Sequence, residues 1–250
     1  MKQTKTNPPA FCLRITPFGP VAALWSVYGR DPKICRILLS KPGISAKHAI
    51  KKFFPDSVAS SCPEINILVD QIEAFLNGED IQFSLDVLRL DLCSAFQQKV
   101  LRAEHAIPRG RVSTYNLIAK HLKNPNGARA VGTALATNPF PIVIPCHQAI
   151  RSDGALGGYQ GGLKMKRTLL EMEGIAFRDA GHVATRSFFY EDERGGHDPN
   201  ISSLSMPLLI ARQKGKCSGE NLNSSSYWRR CIGIISGRTA LSKRFEGETL

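Results

Sequence analysis

Residues 94–137 read SAFQQKVLRAEHAIPRGRVSTYNLIAKHLKNPNGARAVGTALAT, and this run constrains the fold more than any other part of the chain. Three segments of helical periodicity are separated only by turn residues, so each must pack against its neighbours. The first, 94–106, sets Phe96, Val100 and Leu101 at core spacing and stops at Ile107-Pro108-Arg109-Gly110. The second, about 115–122, opens at Ser113 or Thr114 as N-cap and carries Leu117, Ile118 and Leu122. KNPNG is a tight turn, and the third helix spans about 127–137. The spacing predicts a helix-turn-helix with a short, glycine-containing connection. The third helix is slim: Gly127, Ala128, Ala130, Gly132, Thr133, Ala134 and Ala136 are small, and Arg129 is its only charge. A major-groove reader displays several long polar side chains. This helix therefore suits either tight protein packing, the plainer reading, or close approach to a minor groove.

The flanks differ in kind. Residues 10–40 contain two or three β-rich runs broken by Pro-Phe-Gly-Pro and Gly-Arg-Asp-Pro turns. Residues 45–54 and 64–76 have helical spacing; in the latter, Ile65, Ile67, Leu68, Ile72, Phe75 and Leu76 fall largely on one face before the Asn77-Gly78 stop. Beyond residue 150, glycines 157, 158, 161 and 162 form a loop. A helix from Leu163 to Glu173 follows, with Leu163, Leu169 and Leu170 inward and Gly174 as C-cap. That loop matches neither a P-loop nor a dinucleotide fingerprint, which excludes a nucleotide cofactor. The expected architecture is an α/β N-terminal domain (a small β-sheet with helices, residues 1–90) and a mostly α-helical C-terminal domain containing the helix-turn-helix (91–178). A weakly structured extension (179–250) follows.

Charge singles out the same region. Residues 99–178 carry twelve Lys/Arg against four Asp/Glu, whereas the two flanks are each in surplus by only two. A basic surplus concentrated in one segment points to a phosphate-rich partner, unless it is merely a solvated face. No run of about 18 apolar residues exists, so no membrane span is expected, and the N-terminus lacks the pattern of a secretory signal. The seven cysteines form no CxxC pair and no metal-ligand spacing. The expectation is free thiols in a reducing compartment, the cytoplasm or, in a eukaryote, the nucleus.

One cysteine has a histidine beside it. NPFPIVIPCHQAI, residues 138–150, places Cys146 and His147 just past what reads as a buried strand. A cysteine is nucleophilic as the thiolate, which an imidazole can help to form. In extended backbone, neighbouring side chains point apart, so proton transfer needs a turn or a bridging water. The histidine needs an orienting group, and Glu173 is a carboxylate in otherwise apolar surroundings. Taken alone, the pair is weak evidence, and an inert buried thiol is the plainer reading.

Three motifs in order and spacing, GRVSTYNLIAKHL, ARAVGTALATNPFPIVIPCH and GALGGYQGGLKMKRTLLEMEG, resemble the 6-O-alkylguanine-DNA alkyltransferases, also called methylated-DNA–protein-cysteine methyltransferases. The resemblance is high over about 92–175, fainter over about 10–90 around TPFGPVAALWS, and absent from 179–250. It implies a DNA repair protein that flips 6-O-alkylguanine, and also 4-O-alkylthymine, out of double-stranded DNA and takes the alkyl group irreversibly onto Cys146, once per molecule. By matching positions it implies that His147 acts through a water as base, that Glu173 orients His147, and that Asn138 supports the turn holding Cys146. It implies DNA contacts from Tyr115, from Arg129, which fills the gap left by the extruded base, and from Ala128 and Gly132. It implies a base pocket of Pro141, Ala149, Tyr159 and Gln160, with the carbonyls of Cys146 and Ala149 accepting from the guanine amino group and the amide of Gln160 facing the ether oxygen. No metal, no cofactor and a monomeric protein are expected.

The chain departs from the family motif Pro-Cys-His-Arg-Val at Gln148, where loss of an arginine ion pair is expected to weaken local stability more than chemistry. The rival readings are a DNA-binding regulator or lesion sensor that uses Cys146, and a cysteine hydrolase. Some relatives lack the cysteine and only bind lesions; its presence here argues against that class.

Overall fold

The computed structural model describes residues 8–185 and 187–191. Three strands open it: β1 (Ala10–Thr16), β2 (Gly19–Tyr28) and β3 (Asp31–Leu39). They form two antiparallel hairpins with register Thr16↔Gly19 and Tyr28↔Asp31, so each connection has two residues. After helix α1 (Ala46–Phe53), a short strand β4 (Val58–Ala59) pairs parallel with β1, giving the sheet order β3-β2-β1-β4.

The sheet is covered on both faces, which explains the nearly unbroken apolar run VAALW in β2. Alternate residues point to opposite sides. Ala22, Leu24, Cys35 and Leu38 pack with Ala46, Ala49, Ile50 and Phe54 of the α1 region. Val21, Ala23, Trp25, Ile34 and Ile37 face helix α2 (Pro63–Leu76) and join a larger core. That core continues through Val100, Leu101, Ile118, Val131 and Leu135 to Cys146. The two halves of the chain therefore share one apolar interior. The open edge of β3 is also used: Ile34 N donates to Val87 O (2.7 Å), and Ile37 N donates to Pro139 O (2.8 Å), seven residues ahead of the cysteine.

Helices α3 (Ala95–His105), α4 (Tyr115–His121), α5 (Ala128–Ala136) and α6 (Leu163–Met172) build the second half. Their starts follow from capping. Ser94 Oγ accepts from Gln97 N, and Thr114 Oγ1 accepts from Leu117 N. A two-stranded parallel pair joins the helices, β5 (Ser113–Thr114) to β6 (Ala149–Ile150), which periodicity did not indicate. It ties the residues just before Tyr115 to those just after His147.

Three local expectations are corrected. Ile67 is exposed, and Val69 takes the inward place on α2. Leu163, in the first turn of α6, is exposed as well. The stretch 139–146 is not a strand. Pro139, Pro141 and Pro145 each lack the N–H a ladder needs, and the segment turns through an isolated bridge between Pro141 and Ile144, with Ile142 at φ +76°. Packed structure runs past Arg178: Ser113 Oγ donates to Phe189 O (2.7 Å), and the Tyr190 hydroxyl donates to Ala103 O (2.8 Å). Most of the expected extension, 192–250, lies outside the described residues. No helix among the described residues is long and apolar enough to cross a membrane.

The two faces of α2 give a direct check. Leu68→Ala is expected to cost about 2–5 kcal/mol through lost burial and a cavity, whereas Ile67→Ala should stay within about 0.5 kcal/mol, both read from urea denaturation midpoints at constant m-value.

Candidate active site

Cys146 and His147 are the two central residues of a turn, closed by Gln148 N donating to Pro145 O at 2.8 Å. The pair therefore sits in a turn and not in extended backbone. Its geometry is held from outside by Asn138, which is fully buried. The Asn138 amide donates to Ile144 O (3.1 Å) and reaches Cys146 Sγ (3.3 Å), while its Oδ1 accepts from Phe140 N (2.9 Å). Ile142, a β-branched residue with positive φ, sits inside this loop and is buried; such a conformation costs on the order of 1–3 kcal/mol and persists only where packing enforces it.

His147 is buried without exposure, and its Nε2 lies 2.7 Å from Glu173 Oε1. Its Nδ1 is enclosed and has no partner among the described residues. Glu173 follows the last turn of α6, where the helix dipole disfavours a carboxylate. It is compensated by three donors: His147, Gln148 Nε2 to Oε2 (2.8 Å) and the Gly110 amide (3.5 Å). Burial pushes the Glu173 carboxyl up, but its electrostatic interaction and hydrogen bond with His147, together with the hydrogen bonds from Gln148 and Gly110, outweigh it and hold the group below its ordinary range. Gln148 thus occupies the carboxylate as a neutral donor, and its own Oε1 is buried with no partner among the described residues. An orphaned buried acceptor of this kind costs about 1–3 kcal/mol.

Cys146 is buried, and burial pushes its thiol up to about 12, with the Asn138 hydrogen bond acting in the opposite sense. At rest it is a thiol rather than a thiolate. It forms part of the wall of a cavity of about 580 Å³, together with Tyr115, Gly132, Gly158, Tyr159 and Gln160 from the second half and Arg36, Lys41, Pro42 and Phe53 from the first. That volume is ample for a flat heterocycle with a substituent. Tyr159 packs edge-on to His147 at 6.1 Å between ring centroids. The side-chain amide of Gln160 donates to Asn138 O (2.6 Å).

The structure brings Cys146, His147, Glu173, Asn138, Tyr115, Gly132, Tyr159 and Gln160 together. Pro141 and Ala149 are not among the residues lining the cavity: Pro141 is buried, and the Ala149 carbonyl already accepts from Lys166 Nζ at 2.6 Å. Ala128 is half-buried and Arg129 exposed at the start of α5. The face of α5 formed by Arg129, Ala130, Thr133 and Ala136 points outward, while Val131, Ala134 and Leu135 pack inward. Tight packing therefore does not account for the small outward residues.

Two supports of the site leave no local signal in the sequence. Arg109 donates to Met172 O (3.0 Å) and to Gly78 O (3.2 Å), fastening the end of α6 to the end of α2. Gly157 has φ +67°, and a Cβ there would lie 2.9 Å from the Tyr115 hydroxyl oxygen, so the tyrosine reaches the cavity only because this loop position carries no side chain.

Comparison with known proteins fits this geometry. Residues 95–175 match the family model described as the DNA-binding domain of 6-O-methylguanine DNA methyltransferase. The chain is 41% identical over 157 residues to the methylated-DNA–protein-cysteine methyltransferase of Methanothermobacter thermautotrophicus, covering 63% of this chain and 82% of that protein. It is 33% identical over 177 residues to the Haemophilus influenzae protein of the same name, covering 68% and 98%. Among solved structures it resembles Mycobacterium tuberculosis OGT in complex with DNA (TM-score 0.52, 31% identity, 66% of this chain and 92% of that one). It also resembles the 6-O-methylguanine-DNA methyltransferase of Pyrococcus kodakaraensis (TM-score 0.50, 26% identity, 67% and 99%). These matches place the chain among the alkyltransferases. The chain belongs to the methylated-DNA–protein-cysteine methyltransferase family.

The depressed Glu173 carboxyl predicts a pH dependence. A carboxylate whose folded-state pKa lies below its ordinary value of 4.5 contributes stability that is present above that value and is lost as pH falls through the folded-state pKa. Denaturant titrations from about pH 7 to about pH 3 are expected to show a steeper acid loss for the wild type than for Glu173→Gln. Glu173→Gln should itself be less stable at neutral pH by up to about 3–5 kcal/mol, because it breaks a buried pair.

Proposed function

We propose that this chain repairs alkylated DNA by moving the alkyl group of 6-O-alkylguanine, and of 4-O-alkylthymine, onto the sulfur of Cys146. The observation that carries this is Cys146 set at the cavity wall in a turn shared with His147, whose far nitrogen is held by Glu173. A thiol pushed up to about 12 needs a base at the moment of attack. His147 Nδ1 has no partner among the described residues, and through one bridging water it can take the proton while Glu173 stabilises the imidazolium that results. The sulfur then displaces the base from the alkyl carbon: the carbon–oxygen bond breaks, a carbon–sulfur bond forms, and the departing guanine takes up a proton. Tyr115, whose side chain lines the cavity, is the proposed donor of that proton. The amide of Gln160 faces the ether oxygen, and the main-chain carbonyl of Cys146 reads the guanine amino group.

The lesion must leave the base stack to reach a buried sulfur. We read α4 and α5 as a helix-turn-helix and residues 91–178 as the DNA-binding and acceptor unit braced by residues 10–90. The small outward face of α5, with Ala128 and Gly132, suits a minor groove, and exposed Arg129 fills the vacated position in the stack. The basic surplus of residues 99–178 supplies sequence-independent, salt-sensitive affinity. The proposed working form is a monomer on duplex DNA, in the cytoplasm or nucleus.

A thioether, unlike a disulfide, is not opened by thiol exchange. Limiting protein incubated with excess duplex containing radiolabelled 6-O-methylguanine is expected to plateau at one methyl group per active molecule. Continued turnover would indicate a hydrolase, and tight lesion binding with no transfer would indicate a sensor. His147→Gln is expected to slow the transfer by about 10²–10⁴-fold. Arg129→Ala should impair transfer from duplex DNA far more than from the free base; equal impairment would assign Arg129 to the fold.

A further inference from the structure

The small positive surplus of residues 1–98 hides a sharp division. Residues 32–55 carry six Lys/Arg and no Asp/Glu, whereas residues 56–98 carry one Lys/Arg and eight Asp/Glu. The fold turns this division into two faces. Helix α1, with Lys47, Lys51 and Lys52 exposed and no acidic residue, covers one face of the sheet. Helix α2, whose charged residues Glu64, Asp70 and Glu73 are all acidic, covers the other. Helices on opposite faces of a sheet are separated by more than the Debye length of about 10 Å at 0.1 M salt, so each face acts on a charged partner by itself.

The basic face adjoins the cavity that holds Cys146. Ala49 and Phe53 of α1 belong to the cavity wall, as do Lys41 and Pro42, and none of the residues lining it is acidic. Residues 41–44 form a tight turn, in which Lys41 N donates to Ile44 O (3.1 Å) and Ile44 N donates to Lys41 O (3.0 Å). Pro42 abuts the glycine loop: its Cδ lies 3.4 Å from where a Cβ on Gly162 would stand. Lys41 is thereby set beside the loop that carries Tyr159 and Gln160. On α1, Lys52 follows His48 by one turn, and that row runs beside the Ala49–Phe53 row that lines the cavity. The Lys52 ammonium stands 5.5 Å from the Phe53 ring centroid. Lys41, His48 and Lys52 are all exposed. Helix α5 contributes Gly132, Leu135 and Ala136 to the same wall.

A base flipped into the cavity stays attached to its strand, so the phosphates that flank it remain at the mouth. We propose that Lys41 and Lys52 contact the phosphate backbone there, so that residues 10–90 supply a second DNA-binding arm besides α4 and α5. The acidic α2 face, on the far side of the sheet, repels the same polyanion and so selects the α1 side. The inference rests on the DNA-repair reading for the identity of that polyanion. It assigns phosphates rather than base edges to the two lysines, so they confer affinity without sequence preference.

The test is the binding of the full chain to an unmodified, fluorescently labelled duplex, measured by anisotropy across a salt series. Each phosphate contact contributes about 0.9 to the slope of log affinity against log salt concentration. Lys41→Gln and Lys52→Gln are each expected to reduce the slope by about 0.9, and the double variant by about 1.8, with affinity near 0.1 M salt falling about tenfold per lysine. Arg30→Gln is the charge-matched control. Arg30 is exposed at the β2–β3 turn, and the nine-residue strand β3 puts it about 30 Å from Lys41. Its replacement should leave the slope unchanged. Circular dichroism confirms that each variant is folded. An unchanged slope in the double variant, or an equal reduction in Arg30→Gln, would overturn the proposal. Methyl transfer from a labelled duplex is measured separately on the wild type. Its absence, with the slopes reduced as expected, would sink the repair reading and keep the DNA-binding arm; transfer with an unchanged slope in the double variant would sink the arm and keep the repair reading.

Discussion

A carboxylate buried past the C-terminal turn of a helix is the constraint on which the rest of the site depends. Glu173 opposes both the helix dipole and the apolar interior, and it is tolerated because His147, Gln148 and the Gly110 amide converge on it. Those three donors come from the cysteine turn and from the connection between α3 and α4. Satisfying one awkward charge therefore fixes α6, the turn and that loop relative to one another. Arg109 fastens the same corner to α2 through Met172 O and Gly78 O. Chemistry uses the by-product of this arrangement: an imidazole locked by one nitrogen, with the other available.

The acceptor turn is over-determined from its other side. Asn138 holds Ile144 O and reaches the sulfur, and β3 holds Pro139 through Ile37. Three prolines prevent this segment from joining a sheet, and packing absorbs the positive φ of Ile142. The strand edge of the first half thus serves the cysteine of the second half, which gives residues 10–90 a structural role although most of the proposed site residues lie beyond them.

Helix existence and limits were legible in the sequence because they depend on local chemistry. Ser45, Ser94 and Thr114 cap as hydroxyl residues do, and Asn77-Gly78 stops α2. The chemistry of the cysteine, histidine and glutamate suggested them as a set, but the suggestion gained weight only through the resemblance of three motifs, since nothing local joins residue 147 to residue 173. What stayed hidden depends on tertiary context. The apolar run 140–144 reads as a strand until its missing donors are counted. Ile67 and Leu163 look like core residues and are exposed. Nothing local marks Glu104 and Lys166 as interior residues, and their burial appears only when α3 and α6 are placed in the fold. Gln148 marks a departure from the family motif, but its partner, Glu173, could not be read from sequence.

The central claim is that the turn makes Cys146, and no other thiol, the acceptor. Cys12, Cys35, Cys62 and Cys93 are buried too, so burial alone does not distinguish it. What distinguishes Cys146 is the cavity wall, the Asn138 amide and the histidine–carboxylate pair. The most direct measurement is to incubate the protein with a duplex carrying deuterium-labelled 6-O-methylguanine, digest it, and map the label by mass spectrometry. The account predicts a labelled S-methyl thioether on Cys146 and none on the other cysteines; label on Cys12 or Cys93, with Cys146 unmodified, would contradict it.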